Sequence, residues 1–477
     1  MLFPTIAFGI FFPIVFLASW LLRPQPQRWK LFMVVASYVF YGWWQRGHEW
    51  YSLNWWLMGK LALSTVVNQV FVVGISKAAG PLAKKIWVWI AVTANLAFLG
   101  WFKYYGFFRD QVPGFGFMPA KQVILPIAIS FFTFQALSYV LDTYRHQLRP
   151  VGLLDFACYL SFFPHLVAGP IVRAREFLPQ LRQRPDPRYL EASHAFRLIV
   201  AGMFKKVVVS SYLAANLVDP VFANPKGHGA LDSLFGVYGY AIQIYADFSG
   251  YTDIAIGIAL LLGIRFPVNF DSPYRALSLQ DFWRRWHMSL SRWLRDYLYI
   301  SLGGNRRGRT RTYVNLMLTM LIGGLWHGAS WKFVVWGAIH GIALAIERLW
   351  ADRRERLGLP EPVDTPVRRA LRWLVTFHVV CFAWIFFRAE NFTVAWSLIG
   401  RFVTGWGMHS TLVTGLAIFT IVAMLASQFV PEPVMQNVQA RFSRFPVVAQ
   451  GATLAVCFFF IDKLGPQGVL PFIYFQF

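Results

Sequence analysis

The sequence predicts an all-α integral membrane protein. Of 477 residues, 57% are hydrophobic and only 14% are charged, and the apolar residues gather into runs separated by short basic loops. A soluble domain of this length exposes far more charge, and a helix is the element that satisfies its own backbone hydrogen bonds inside lipid. Apolar runs cover residues 3–22, 31–44, 61–75, 86–102, 123–141, 207–218, 313–331, 373–387, 412–430 and 447–461. Several fall short of the roughly 20 residues that a perpendicular helix needs, so about ten crossings are expected together with re-entrant or interfacial helices.

Residues 3–22 have no charge ahead of them and no small-residue cleavage site behind them, the pattern of a retained first helix. Arg23, Arg28 and Lys30 follow at once, which makes that loop cytoplasmic and the N-terminus external. Lys77, Lys84 and Lys85, and the arginines within 173–188, 284–311 and 348–372, mark further cytoplasmic loops. The net charge of +23 resides in these loops, so membrane orientation and anionic headgroups account for it without a nucleic-acid partner. Trp43, Trp44, Tyr104 and Tyr105 suit an interfacial belt. Cys158, Cys381 and Cys457 sit in apolar runs with no pairing or metal spacing, which reads as packing. No repeat of fixed period appears, and the Gly- and Pro-rich stretch 357–366 reads as a solvent loop, so residues 1–477 are expected to form one polytopic domain.

Against this background the buried polar residues stand out. Residues 313–346 read as bilayer-buried helix except for their histidines and one lysine, and Gly323, Gly324 and Gly328 crowd around Trp326-His327. An ionisable group at membrane depth is costly and marks function by default, while glycine lets another backbone or a substrate approach closely. His327 is therefore the expected centre of the chemistry. Residues 281–304, placed on one helix, align Phe282, Trp286, Leu290, Trp293 and Tyr297 in an apolar stripe. The remaining surface carries Arg284, Arg285, His287, Arg292, Arg295 and Asp296, which suits an interfacial helix or one dipping into a wet cavity.

Two histidines with nearby arginines suit acyl transfer, in which an imidazole takes a hydroxyl proton and cations hold a phosphate-bearing donor. A metal centre is not expected, since nothing resembles HExxH and no cysteine or carboxylate completes a ligand set. Asp247, Ser249, Tyr251 and Asp253 are too dense for a lipid-facing helix and either line the cavity or hold its helices together. His165, next to Pro164 and near Gly169-Pro170, sits on a kinked or re-entrant segment as wall or packing residue. His340 and His378 lie in ordinary apolar helices and read as satisfied core histidines.

Four ordered blocks carry a family resemblance: residues 161–171 (SFFPHLVAGPI), 245–257 (YADFSGYTDIAIG), 281–306 beginning DFWRRWH and containing RDYLYI and GGNR, and 324–328 (GLWHG). The chain resembles the membrane-bound O-acyltransferases, in particular the bacterial branch that acetylates alginate and other exopolysaccharides. The likeness runs from about residue 126 to 346 and continues more faintly through residues 382–389. It implies helices packed around a central funnel that nearly pierces the bilayer. It also carries the family's catalytic histidine to His327 and its preceding polar-motif histidine to His287.

The resemblance further implies an inner-membrane O-acetyltransferase with no resident cofactor, taking its acyl group from acetyl-CoA or an acyl carrier and serving a polysaccharide outside the cell with a periplasmic partner. His327 is expected as general base or relay to an acyl intermediate, and His287 as the residue that orients or polarises thioester or acceptor. Arg284, Arg285 and Arg292 are expected to attract the anionic donor, with Trp326, Asp247, Ser249 and His165 lining the substrate path; the same arginines also satisfy the positive-inside rule. Other acceptors in the family are peptidoglycan, cellulose and, as D-alanine, teichoic acid. A non-enzymatic transporter of polysaccharide or acyl carrier is the competing class, which the absence of an internal repeat disfavours.

Overall fold

The computed structural model describes residues 1–43, 53–121, 123–360 and 362–465, and Trp44 of the expected aromatic belt lies outside them. The described residues form helices and connecting turns with no strand. They fall into two compact units, one of residues 1–199 with 251–267 and the other of 200–250 with 268–477.

Among the described residues, seven helical segments are long and apolar enough to cross a membrane: residues 55–77, 81–111, 192–223, 230–261, 331–356, 366–388 and 447–464. Gly415–Ser427 and Glu432–Phe442, bent by 95° at their junction, make an eighth if taken as one broken span. The other expected spans are shorter or more polar helices, such as the 17-residue Ile6–Leu22, in keeping with the broken spans that the short apolar runs require.

In the first unit, α1 (Ile6–Leu22), α2 (Pro26–Gly42), α3 (Trp55–Lys77), α4 (Pro81–Leu99) and α5 (Ile129–Tyr144) follow one another. Asn68 and Asn95 exchange side-chain hydrogen bonds of 3.2 and 2.8 Å, a polar clasp between α3 and α4. The apolar run 123–141 becomes helical only at Ile129, because Ala128 adopts a left-handed conformation (φ 64°) at the helix start. The helix that follows is buried almost throughout.

The second unit carries most of the polar marks. Helix α6 (Ala230–Leu261) contributes residues 230–250 to it. After an extended segment come α7 (Leu279–Arg285) and α8 (Met288–Trp293), then α9 (Arg309–His327), α10 (Trp331–Arg356) and α11 (Pro366–Arg388). The single amphipathic helix expected over residues 281–304 is thus divided. Trp286 is extended, His287 is left-handed at φ 41°, and residues 294–299 make a wider π-helical turn. The stripe survives the break: Phe282, Trp286, Leu290, Trp293 and Tyr297 are all buried.

The break is made by tertiary contact, since neither glycine nor proline occurs at 286–287. Backbone groups that lose helical partners there find them in the segment before α7: Met288 N–H donates to Asn269 O (2.9 Å), and Asp271 N–H to Arg285 O (2.9 Å). The start of α7 is capped twice. Ser278 Oγ accepts from Asp281 N (3.0 Å), and the Glu347 carboxylate of α10 accepts from Leu279 N and Gln280 N at 2.6 and 3.1 Å.

Candidate active site

The apolar stretch 313–346 turns back on itself at Gly328–Ser330, and glycine makes the turn possible. A Cβ on Gly324 would run into the Phe333 carbonyl oxygen, and one on Gly337 into that of Met320. The α9 and α10 backbones therefore lie against each other at two levels, an approach that small residues permit within membranes. A Cβ on Gly328 would strike the Phe333 ring, so the ring occupies the space just beyond His327.

His327, at the last turn of α9, is 4% exposed and set among aromatic rings. Trp326, Trp336 and Phe387 lie 5.2, 5.0 and 5.3 Å from it between centroids, all nearly edge to face. His287, wholly buried, lies 4.6 Å from Phe248 on α6 and 6.2 Å from Trp326. The two histidines, forty positions apart in sequence, thus meet on one indole.

The tautomer of His287 follows from its surroundings. Asn269 Oδ1 accepts from Ser289 N–H (3.1 Å) and Ser289 Oγ (2.9 Å), which identifies that atom as the amide oxygen. His287 Nδ1, 3.3 Å away, must then carry the proton and donate to it. Nε2 is left as the lone-pair nitrogen, buried and without a hydrogen-bond partner among the described residues.

The remaining expected site residues separate by environment. Asp247 forms a buried ion pair with Lys206, and Lys205 Nζ donates to Ser249 Oγ (2.9 Å), so these positions clasp α6 to the π-helical turn Phe204–Ser210. Phe248 between them faces His287. Arg285 is held by Asp281 (2.8 Å) and Asp271 (3.0 Å). Arg292 Nε reaches Met288 O at 3.4 Å. Arg284 is exposed and makes no ion pair among the described residues.

His165 belongs to the other unit, buried against Tyr159, Phe162, Phe177 and Phe266, with Nε2–H donating to Tyr159 O (2.8 Å). A Cβ on Gly169 would clash with the Pro164 carbonyl and His165 Cα, which accounts for glycine in that kinked segment. His378 is exposed, hydrogen-bonded to Tyr238 OH and Leu374 O at 2.8 Å each. His340 is the reverse of a satisfied core histidine: fully buried among Phe282, Trp283 and Trp336, with neither ring nitrogen hydrogen-bonded among the described residues.

Sequence reasoning missed Asn269, Lys205, Lys206 and the aromatic walls Trp336 and Phe387. The lysine pair left a signal, as two charges at the mouth of the apolar run 207–218, and Phe387 lies in the fainter family-like stretch 382–389.

Fold and site together define a polytopic helical membrane enzyme whose buried histidines share one aromatic wall. The family model described as the membrane-bound O-acyltransferase family matches residues 118–396, and the chain belongs to that family and is an acyltransferase. Among its relatives, the chain is 37% identical over the full length of both chains to the probable alginate O-acetylase AlgI of Azotobacter vinelandii. It is 40% identical to the protein of the same name from Pseudomonas aeruginosa, over 88% of this chain and 79% of that one. The peptidoglycan O-acetyltransferase of Helicobacter pylori is 37% identical over 80% of this chain and 75% of its own.

Proposed function

We propose that this protein is an inner-membrane O-acetyltransferase that passes an acetyl group from a cytoplasmic thioester, acetyl-CoA or an acyl carrier, toward hydroxyls of an extracellular polysaccharide such as alginate. The observation that carries the reading is the meeting of His287 and His327 on Trp326 in a site walled by aromatic rings. The names of the relatives at 37–40% identity support the acetyl group and the polysaccharide acceptor.

In this reading His327 takes the acceptor's hydroxyl proton as the oxygen attacks the thioester carbonyl. The tetrahedral intermediate then collapses, breaking the C–S bond, and the proton passes to the departing thiolate. His287 orients rather than polarises: with Nδ1–H engaged by Asn269, Nε2 accepts a hydrogen bond from a neighbouring hydroxyl of the acceptor, the attacking hydroxyl's own proton going to His327, instead of donating one to a carbonyl. Arg284 remains available at the surface to attract an anionic donor, whereas Arg285 is neutralised by two carboxylates. A periplasmic partner completing transfer to the polymer belongs to the same proposal, as does the external N-terminus with the 284–311 and 348–372 loops cytoplasmic.

The test is a proteoliposome assay with labelled acetyl-CoA inside and polymannuronate, peptidoglycan fragments or cellulose oligomers outside, with and without the partner. Label reaching polymannuronate first is the expected result. Label reaching only peptidoglycan would replace the acceptor, and no consumption of acetyl-CoA on either side would remove the donor. Arg307→Cys, labelled only from the cytoplasmic side in oriented vesicles, checks the topology.

A further inference from the structure

Toward the end remote from His327, helices α9 and α10 line an open groove of about 300 Å³ formed by Tyr313, Met317, Ile342, Ala345, Ile346 and Leu349. Its walls are apolar apart from the Tyr313 hydroxyl, and Ile342, Ile346 and Leu349 are each about half exposed. One end of the groove has a different character. There the buried Asp352 carboxylate accepts from Tyr313 OH (2.9 Å) and pairs with Arg348 Nε (2.9 Å), while Arg309 Nε lies at 4.0 Å. A single carboxylate is thus shared by two guanidinium groups, and Arg311, Arg353 and Arg356 add exposed positive charge nearby on the same two helices. Trp350, 68% exposed, follows Leu349 of the groove and precedes Arg353 along α10, a position that suits an interfacial tryptophan.

We propose that this groove binds an anionic phospholipid, its acyl chain lying along Ile342, Ile346 and Leu349 and its phosphate resting on Arg348 and Arg309. The charge surplus selects the occupant. A zwitterionic lipid offers the same chain but no net charge to answer guanidinium groups that Asp352 neutralises only in part, and attraction to anionic headgroups accumulates with each arginine at the surface. Because Asp352 joins the start of α9 to the end of α10, the lipid sits where it braces the helix pair whose other end carries His327.

Photoreactive phosphatidylglycerol and phosphatidylcholine carrying the same diazirine acyl chain, each incorporated into nanodiscs holding the full-length protein, test the assignment by mapping labelled peptides. Phosphatidylglycerol should label the peptide containing residues 342–349 about fivefold or more over phosphatidylcholine, the size expected from one effective arginine. Arg348→Gln should erase most of that preference while leaving acyl-chain labelling in place. Ile346→Trp, which fills the groove from an exposed position and leaves every charge intact, should abolish labelling in protein that still elutes as a folded species. Equal labelling by both lipids would assign the groove to bulk lipid and overturn the proposal. Protection from both probes would assign it to a protein contact and overturn it equally. Neither readout depends on acetyl transfer, so a wrong acceptor or donor leaves this result standing.

Discussion

The two histidines are held by opposite means. His327 ends a regular helix whose place is set by backbone packing: Gly324 and Gly337 let α9 and α10 touch, and rings close around the imidazole. His287 occupies a broken segment in a left-handed conformation that costs a non-glycine residue energy, and hydrogen bonds from the Asn269 segment hold it there. Packing resists displacement of a whole helix, whereas hydrogen bonds set the protonation of a single ring. In the proposed mechanism the first arrangement serves the residue that gives and takes a proton at a fixed point, and the second the residue that keeps one tautomer.

The sharpest way to break this comparison is His327→Ala. It should lower acetyl transfer per folded molecule by about 10² to 10⁴-fold, the range for loss of a general base, with an unchanged elution profile in detergent. Activity near that of the parent would move the chemistry to His287. Trp286→Ala should fail differently. This ring is fully buried and stacked on Phe282 at 5.6 Å, so its loss should cost about 3–5 kcal/mol of stability, read as a fall in thermal midpoint.

Gly324→Ala tests the packing half directly. With a backbone carbonyl in the way, the helices must part, at about 1–3 kcal/mol, and transfer should fall along with stability. An unchanged midpoint would show that the backbones are not in close apposition. Asn269→Leu and Asn269→Asp test the hydrogen-bonded half. The first removes the acceptor for His287 Nδ1–H and should reduce transfer about five- to tenfold, as for one lost hydrogen bond; the second keeps an acceptor and should retain more activity. Equal loss in both would show that an acceptor at this position is not what sets the activity of His287. Arg284→Gln should have the smallest effect, confined to the KM for the donor because the side chain is exposed; a fall in kcat instead would place it at the reacting atoms.

The legibility of these two regions in the sequence differs for the same reason. GLWHG announces a close approach at membrane depth through composition alone: a histidine is expensive there and glycines have no side chain to keep neighbours away. The amphipathic stripe of residues 281–304 correctly marks which side chains are buried but misses the break at 286–287, because the cause lies at Asn269 and Asp271, remote from any local pattern. Asp247 and Ser249 were visible as misplaced polar residues and Lys205-Lys206 as charges beside an apolar run, but the pairing between them was not, since a polar contact between helices leaves no periodicity. His340 looked ordinary for the converse reason: hydropathy registers that a side chain is buried and says nothing of whether its nitrogens find partners.

What the sequence determined by itself is the solvent and the element. Long apolar runs divided by arginines admit little but helices in a bilayer, and four ordered blocks placed the chain in its family. Tertiary structure alone decided that Trp326 stands between His287 and His327, that His287 carries its proton on Nδ1, and that Arg285 is spent on two carboxylates. The first two depend on distances between residues far apart in the chain, and the third on Asp271, which precedes the helix that carries Asp281 and Arg285. Hydrophobic patterning sets which face of a helix is buried, but not which buried group lies opposite.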